Sequence, residues 1–165
     1  MSKKTLVVYY SWSCGNTEKI AEQLADACDA DIARIETVVP YPEDYQETVD
    51  QGQREVNAGF MPEIEPLECN PADYDVIVIG TPTWWYTMAP AVKTFIAEND
   101  FSGKTVVALS TNGSWPGNVT ADIEDACAGA SFGPALEVQF DSTGGDHQEM
   151  PQSQVDAWIE QIRSL

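Results

Sequence analysis

The chain has 165 residues, 43% of them apolar and 21% charged, enough for one sizeable core in a single domain spanning 1–165. Its 27 acidic residues against 8 basic ones leave a net charge of −19. That field argues against nucleic acid and anionic membrane surfaces as partners and favours proteins with basic docking surfaces, although solubility in a salty cytosol accounts for it equally well.

Residues 6–10 are a short apolar run rich in β-branched and aromatic side chains, which suits a strand buried on both faces. From Asn16 onward, Ile20, Ala21, Leu24 and Ala25 recur at helical spacing, with Glu18, Glu22 and Gln23 outward. Between them, Ser11-Trp12-Ser13-Cys14-Gly15-Asn16-Thr17 leads hydroxyls and a glycine straight into a helix start. A helix start has unpaired N–H groups and the positive end of the dipole, so this stretch is expected to seat a phosphate. Simple capping of the helix would use the same residue types. No Gly-Lys-Ser/Thr closes the loop as in a Walker motif, and one glycine stands where a dinucleotide fingerprint needs three.

Residues 31–39 alternate apolar and polar, as an edge strand does, until Pro40-Tyr41-Pro42 breaks them. Residues 43–59 read as a polar, weakly amphipathic helix capped by Gly59. The proline-punctuated connection 60–73 is long enough that it should cover something. Residues 74–80 are the clearest strand. A loop 81–89 follows, and Pro90 opens a helix reaching residue 98. Strand 104–109, loop 110–118, helix 119–130, strand 135–140 and helix 151–165 complete the chain. This alternation predicts an α/β three-layer sandwich, a five-stranded parallel sheet of order 2-1-3-4-5 with helices on both faces. Ligands then sit outside the carboxyl ends of the strands, near the first and third.

Three loops share that edge. Residues 11–17 carry the hydroxyls and Gly15; 81–89 carry Pro82, Thr83, Trp84, Trp85 and Tyr86; 110–118 carry Thr111, Asn112, Gly113, Ser114 and Trp115. Large aromatics on exposed loops make an adhesive patch unless a planar ring stacks on them or they fold back into the core. Cys14, Cys28, Cys69 and Cys127 form no CxxC, and His147 is the only histidine, so neither a zinc site nor a hydrolytic triad can be drawn. With no apolar leader and no run near the ~18 residues of a membrane helix, no membrane contact and a cytoplasmic location are expected.

The loop 11–17 resembles the phosphate loop of flavodoxins, with Ser13, Gly15, Asn16 and Thr17 on the pattern and Cys14 as one extra residue. Ser11 and Ser13 therefore compete for the early hydroxyl position. Thr81-Pro82-Thr83-Trp84-Trp85 with Met88 to Phe95 resembles the second loop and following helix of small FMN-binding members of that family, and Ser110-Thr111-Asn112-Gly113 resembles the third loop. The resemblance covers nearly the whole chain. It implies the flavodoxin-like fold and non-covalent FMN. Ser11, Trp12, Ser13, Cys14, Gly15, Asn16 and Thr17 would then surround the phosphate, with 82–86 on one side of the ring and 111–115 on the other.

Two functions follow from the resemblance: a low-potential FMN electron carrier, or an FMN-dependent NAD(P)H:quinone-type oxidoreductase. A depressed potential is expected because an acidic protein tolerates an anionic reduced flavin poorly. Classical flavodoxins place a glycine after the loop tryptophan, where a peptide flips toward the reduced ring. Here Tyr86 and Thr87 follow Trp85. A positive φ at Tyr86 is expected to be costly, and one-electron-reduced flavin correspondingly less stabilised. A receiver domain of the same fold is disfavoured, because Tyr9, Tyr10 and Ser11 stand where paired acidic residues would be needed.

Overall fold

A computed structural model of the protein describes residues 3–12, 15–143 and 145–165. Four strands form the main part of a parallel sheet: β1 (Thr5–Tyr9), β2 (Asp31–Arg34), β3 (Val76–Trp84) and β5 (Thr105–Asn112). β1 lies between β2 and β3, with Val7 opposite Ile32 on one side and Val78 on the other. β3 in turn pairs with β5, Val78 opposite Val107. The helices are α1 (Asn16–Cys28), α2 (Tyr45–Ala58), α3 (Pro90–Ala97), α4 (Val119–Ala126) and α5 (Gln152–Arg163).

The expected order 2-1-3-4-5 is present, but the strand count is seven rather than five. The fifth ladder is split into β6 (Ser131–Phe132) and β7 (Leu136–Gln139), both parallel to β5. Gly133 and Pro134 occupy the break, and a Cβ at Gly133 would stand 2.8 Å from Val107 Cγ2. The seventh strand, β4 (Thr87–Met88), lies in the segment expected to be a loop. β3 runs four residues beyond Gly80 and turns back on itself, Thr83 opposite Met88 and Trp84 opposite Thr87.

Alternation along the strands sends two sets of side chains to opposite faces. Leu6, Val8, Ile77, Ile79, Val106 and Ala108 pack with Val92 and Phe95 of α3 and Val119 and Ile123 of α4. Val7, Val76, Val78, Val107 and Leu109 meet Ile20 and Leu24 of α1 and Val155, Trp158 and Ile162 of α5. The helix α2 buries only Thr48 and Gly52, so it serves something other than the core.

The second strand is shorter than expected because the chain leaves the sheet after Arg34 and pairs with the long connection. Thr37 bridges Ile64, and the Val38 N–H donates to the Glu63 carbonyl at 2.9 Å. That connection does cover something: Ile64, Leu67 and Cys69 pack on the core, and Thr94 Oγ1 donates to the Pro62 carbonyl at 2.7 Å. The helix expected over 119–130 stops at Ala126, before Gly129 at φ 84°. No helix among the described residues is long and apolar enough to cross a membrane.

Candidate functional site

A cleft of about 470 Å³ opens at the carboxyl ends of the strands. Trp12, Asn16, Thr17, Pro82, Thr83, Trp84, Trp85, Tyr86, Thr111, Asn112, Gly113 and Trp115 all line it. The three loops marked in the sequence therefore converge. Ser13 and Cys14 lie outside the described residues.

At one end the chain leaves β1 and enters α1. Gly15 adopts φ 74°, a left-handed conformation that costs a glycine little. Ser11 is buried, and its Oγ accepts the Glu18 N–H at 3.3 Å, so it braces the first helical turn rather than lining the cleft. Thr17 and Thr111 join hydroxyls at 2.7 Å between α1 and β5, and Asn16 Nδ2 donates to the Gly145 carbonyl at 3.1 Å. This end offers hydroxyls, amides and a helix start.

The other end is aromatic. Trp84 is half-buried and wedged edge-on among Tyr41, Tyr10 and Trp12, at centroid distances of 5.0, 5.7 and 6.3 Å. It has folded back toward the core. Trp85 stays at the surface, its indole N–H donating to the Val49 carbonyl at 2.9 Å. Trp115 is 61% exposed at the rim. Ser114 does not line the cleft; its N–H donates to Asn112 Oδ1 at 2.9 Å, closing the turn.

The hairpin tip shows how the chain accommodates a positive φ at Tyr86. Trp85 and Tyr86 already sit at φ 49° and 69°, the left-handed pair of a tight two-residue hairpin turn, without any glycine. Surrounding contacts hold them there. The Asn118 N–H donates to the Tyr86 carbonyl at 2.7 Å, and Thr87 Oγ1 donates to Asp122 Oδ2 at 2.6 Å. Gly117 makes the first contact possible, because a Cβ there would stand 2.5 Å from Tyr86 Cα. Missing glycine at the turn is compensated by glycine in the segment that grips it.

Sequence reasoning missed two walls. Tyr45, Thr48, Val49 and Gly52 form one stripe of α2 facing the cleft, at i, i+3, i+4 and i+7. A Cβ on Gly52 would meet Trp84 Cε3 at 3.2 Å, so the helix accepts an interior glycine to bring the tryptophans close. Phe140, Asp141, Ser142 and Gly145, after β7, form the other wall. The signal was present in Asp141-Ser142-Thr143-Gly144-Gly145, a hydroxyl-and-glycine run at a strand end.

No lysine, arginine or histidine is among the described lining residues. Asp141 supplies a carboxylate, held below the usual range because Thr143 donates to it from both side chain and backbone. Burial, reinforced by hydrogen bonding to Glu55, pushes the Tyr41 hydroxyl far up; burial does the same for Tyr10. Tyr9 rises to about 12, through burial and then its bond to Glu18. His147 is exposed near Glu149, and no metal-binding cluster occurs among the described residues.

Fold and cleft together define a doubly wound α/β protein with an open cleft at its topological switch point. The flavodoxin family model matches residues 4–162, so the chain belongs to the flavodoxin family. A Bacteroides eggerthii DSM 20697 protein provisionally designated a flavoprotein superposes with a TM-score of 0.79 at 26% identity, covering 99% of each chain. The Lactobacillus acidophilus NCFM flavoprotein, solved in complex with FMN, has a TM-score of 0.72 at 24% identity, over 95% of this chain and 99% of that one, a likeness of fold. NAD(P)H dehydrogenase (quinone) 3 of Rhizobium meliloti (strain 1021) is 33% identical over 129 residues, 73% of this chain. The aligned region spans 58% of that relative's length.

Proposed function

We propose that the protein is an FMN-binding electron-transfer protein of low potential, working as one domain in the cytoplasm. One observation carries this reading: a cleft of about 470 Å³ with hydroxyls and a helix start at one end and aromatic walls at the other, with no cation among its described lining residues. The donor set suits FMN. A phosphate can be held by N–H groups and hydroxyls without positive side chains, as Asn16, Thr17 and Thr111 would allow. A planar ring needs apolar faces, which Trp85, Tyr86 and Trp115 offer. When bound, FMN supplies reversible one- and two-electron redox chemistry. The protein's own part is to seat it, exclude water from one face and surround it with negative charge. Asp141 and the net charge of −19 supply that field, which would lower the potential and attract redox partners with basic docking surfaces. Among the described residues the cysteines are free, which suits a reducing compartment.

Titrating apoprotein with FMN and FAD tests the cofactor. One equivalent of FMN should bind tightly, with no comparable uptake of FAD. Tight FAD binding alongside indifference to FMN would overturn the reading, as would an FMN couple above that of free FMN. The second reading, an NAD(P)H:quinone-type oxidoreductase, is favoured by the exposed rim rings Tyr86 and Trp115, on which another planar substrate could stack. Rapid NADPH oxidation driven by a quinone would decide for the enzyme.

A further inference from the structure

A cation does stand behind the loop, contributed by a strand rather than by the loop itself. Arg34, the last residue of β2, places Nη1 2.5 Å from Glu18 Oε2 and donates from Nη2 to the Ser11 carbonyl at 3.1 Å. Tyr9 donates its hydroxyl to the same Glu18 oxygen at 2.9 Å, and the guanidinium lies 5.8 Å from the Tyr9 ring centroid. The Glu18 N–H in turn reaches Ser11 Oγ. One guanidinium thus ties the point where the chain leaves β1 to the first turn of α1. Glu18 also lies close beneath the loop, with Oε1 3.8 Å from the position a Cβ on Gly15 would take. A carboxylate in the first turn favours the helix but competes with any anion bound at the same start.

We propose that Arg34 is a positioning residue for phosphate binding: it fixes the Ser11 end of the loop against α1 and cancels the Glu18 charge, so that the helix start can accept a dianion. The inference rests on the FMN reading above. Its side chain is 43% exposed and that of Glu18 34%, so the ion pair alone contributes little to stability. Its value lies in the loop it holds and the charge it masks.

Riboflavin, which lacks the phosphate, separates this role from a general structural one. Wild type, Arg34→Ala, Arg34→Lys, Glu18→Gln and the Arg34→Ala/Glu18→Gln double variant are titrated with FMN and with riboflavin, following flavin fluorescence. Arg34→Ala should weaken FMN about tenfold, the scale of one charge-assisted contact, and leave riboflavin within about twofold. Glu18→Gln should restore part of the loss in the double variant. Arg34→Lys should restore another part, since it keeps the charge but not the two-pronged reach. Equal losses for both flavins, or none, would overturn the assignment and leave FMN binding standing. Wild-type protein that binds neither flavin would remove the FMN reading itself, and this proposal with it.

Discussion

The two ends of the cleft are built on different plans. The hydroxyl end gathers where β1 hands over to α1, around Asn16 and Thr17, braced by a local bond from Ser11 to Glu18 and by longer ties to Thr111 and Gly145. The aromatic end comes from β3, β4, α2 and the segment before α4, and its hairpin tip holds two non-glycine residues at positive φ. One end is centred on a single strand-to-helix passage. The other is a conformation imposed by tertiary contacts, so damage far along the chain should reach it first.

The largest effect should come from Gly117→Val. Its Cβ would collide with the Tyr86 backbone in a residue already at φ 63°. A loss of about 3 kcal/mol is expected, from overpacking and left-handed strain together. Urea denaturation measures it, and a loss under about 1 kcal/mol would show that the hairpin tip is not gripped from this side.

Trp84→Ala should come next, at about 2–3 kcal/mol, because Trp84 packs edge-on against three other rings. Trp115→Ala should leave stability within about 0.5 kcal/mol yet weaken FMN several-fold, by about the 1 kcal/mol of a stacked ring. Parallel denaturation and flavin titration separate structural from ligand-facing tryptophans. Unchanged FMN affinity in Trp84→Ala, Trp85→Ala and Trp115→Ala alike would remove stacking from the account.

Alkaline pH probes both ends at once. Tyr9, behind the loop, and Tyr10 and Tyr41, around Trp84, all have hydroxyl pKa values raised in the folded state. Their stabilising contribution is complete below the ordinary tyrosine value and is lost as pH rises above it. For Tyr9 the window runs from 10.0 to about 12. Denaturation midpoints should therefore fall steeply above pH 10, and Tyr41→Phe should flatten the fall. A midpoint flat to pH 11.5 would show that these hydroxyls ionise freely when folded.

The smallest effect sharpens the contrast with a gain. Tyr86→Gly should raise stability by about 1 kcal/mol or slightly less, because a glycine meets the turn's φ without strain. Thermal melts read the change. A destabilised variant would mean that the tyrosine ring contributes more than its backbone costs.

Sequence pattern alone revealed the fold well, because buried parallel strands such as 76–79 and 106–109 leave continuous apolar runs and their helices leave periodic stripes. It revealed the loop positions for the same reason. What stayed hidden depends on partners distant in sequence. Nothing about Trp85-Tyr86 announces a hairpin turn, since that geometry is set by Gly117 and Asn118. The Gly52 stripe on α2 is visible only once Trp84 is known to lie opposite. The bracing bond of Ser11 to Glu18 was not legible, because a hydroxyl that braces a helix and one that binds phosphate are the same residue in a string of letters. The split of the fifth ladder depends on close approach of Gly133 to Val107.

That split has a consequence for how molecules of this protein meet. An open sheet invites another chain to add a strand wherever unpaired peptide groups run along its rim. Here one rim is β2, four residues long and ending in Arg34, after which the chain is already paired with 63–65. The opposite rim is two pieces, of two and four residues, interrupted by a proline that offers no N–H. Neither border gives an incoming strand a continuous template. With every molecule carrying the same strong negative charge, concentrated solutions should resist the edge-to-edge stacking that threatens open β-sheets.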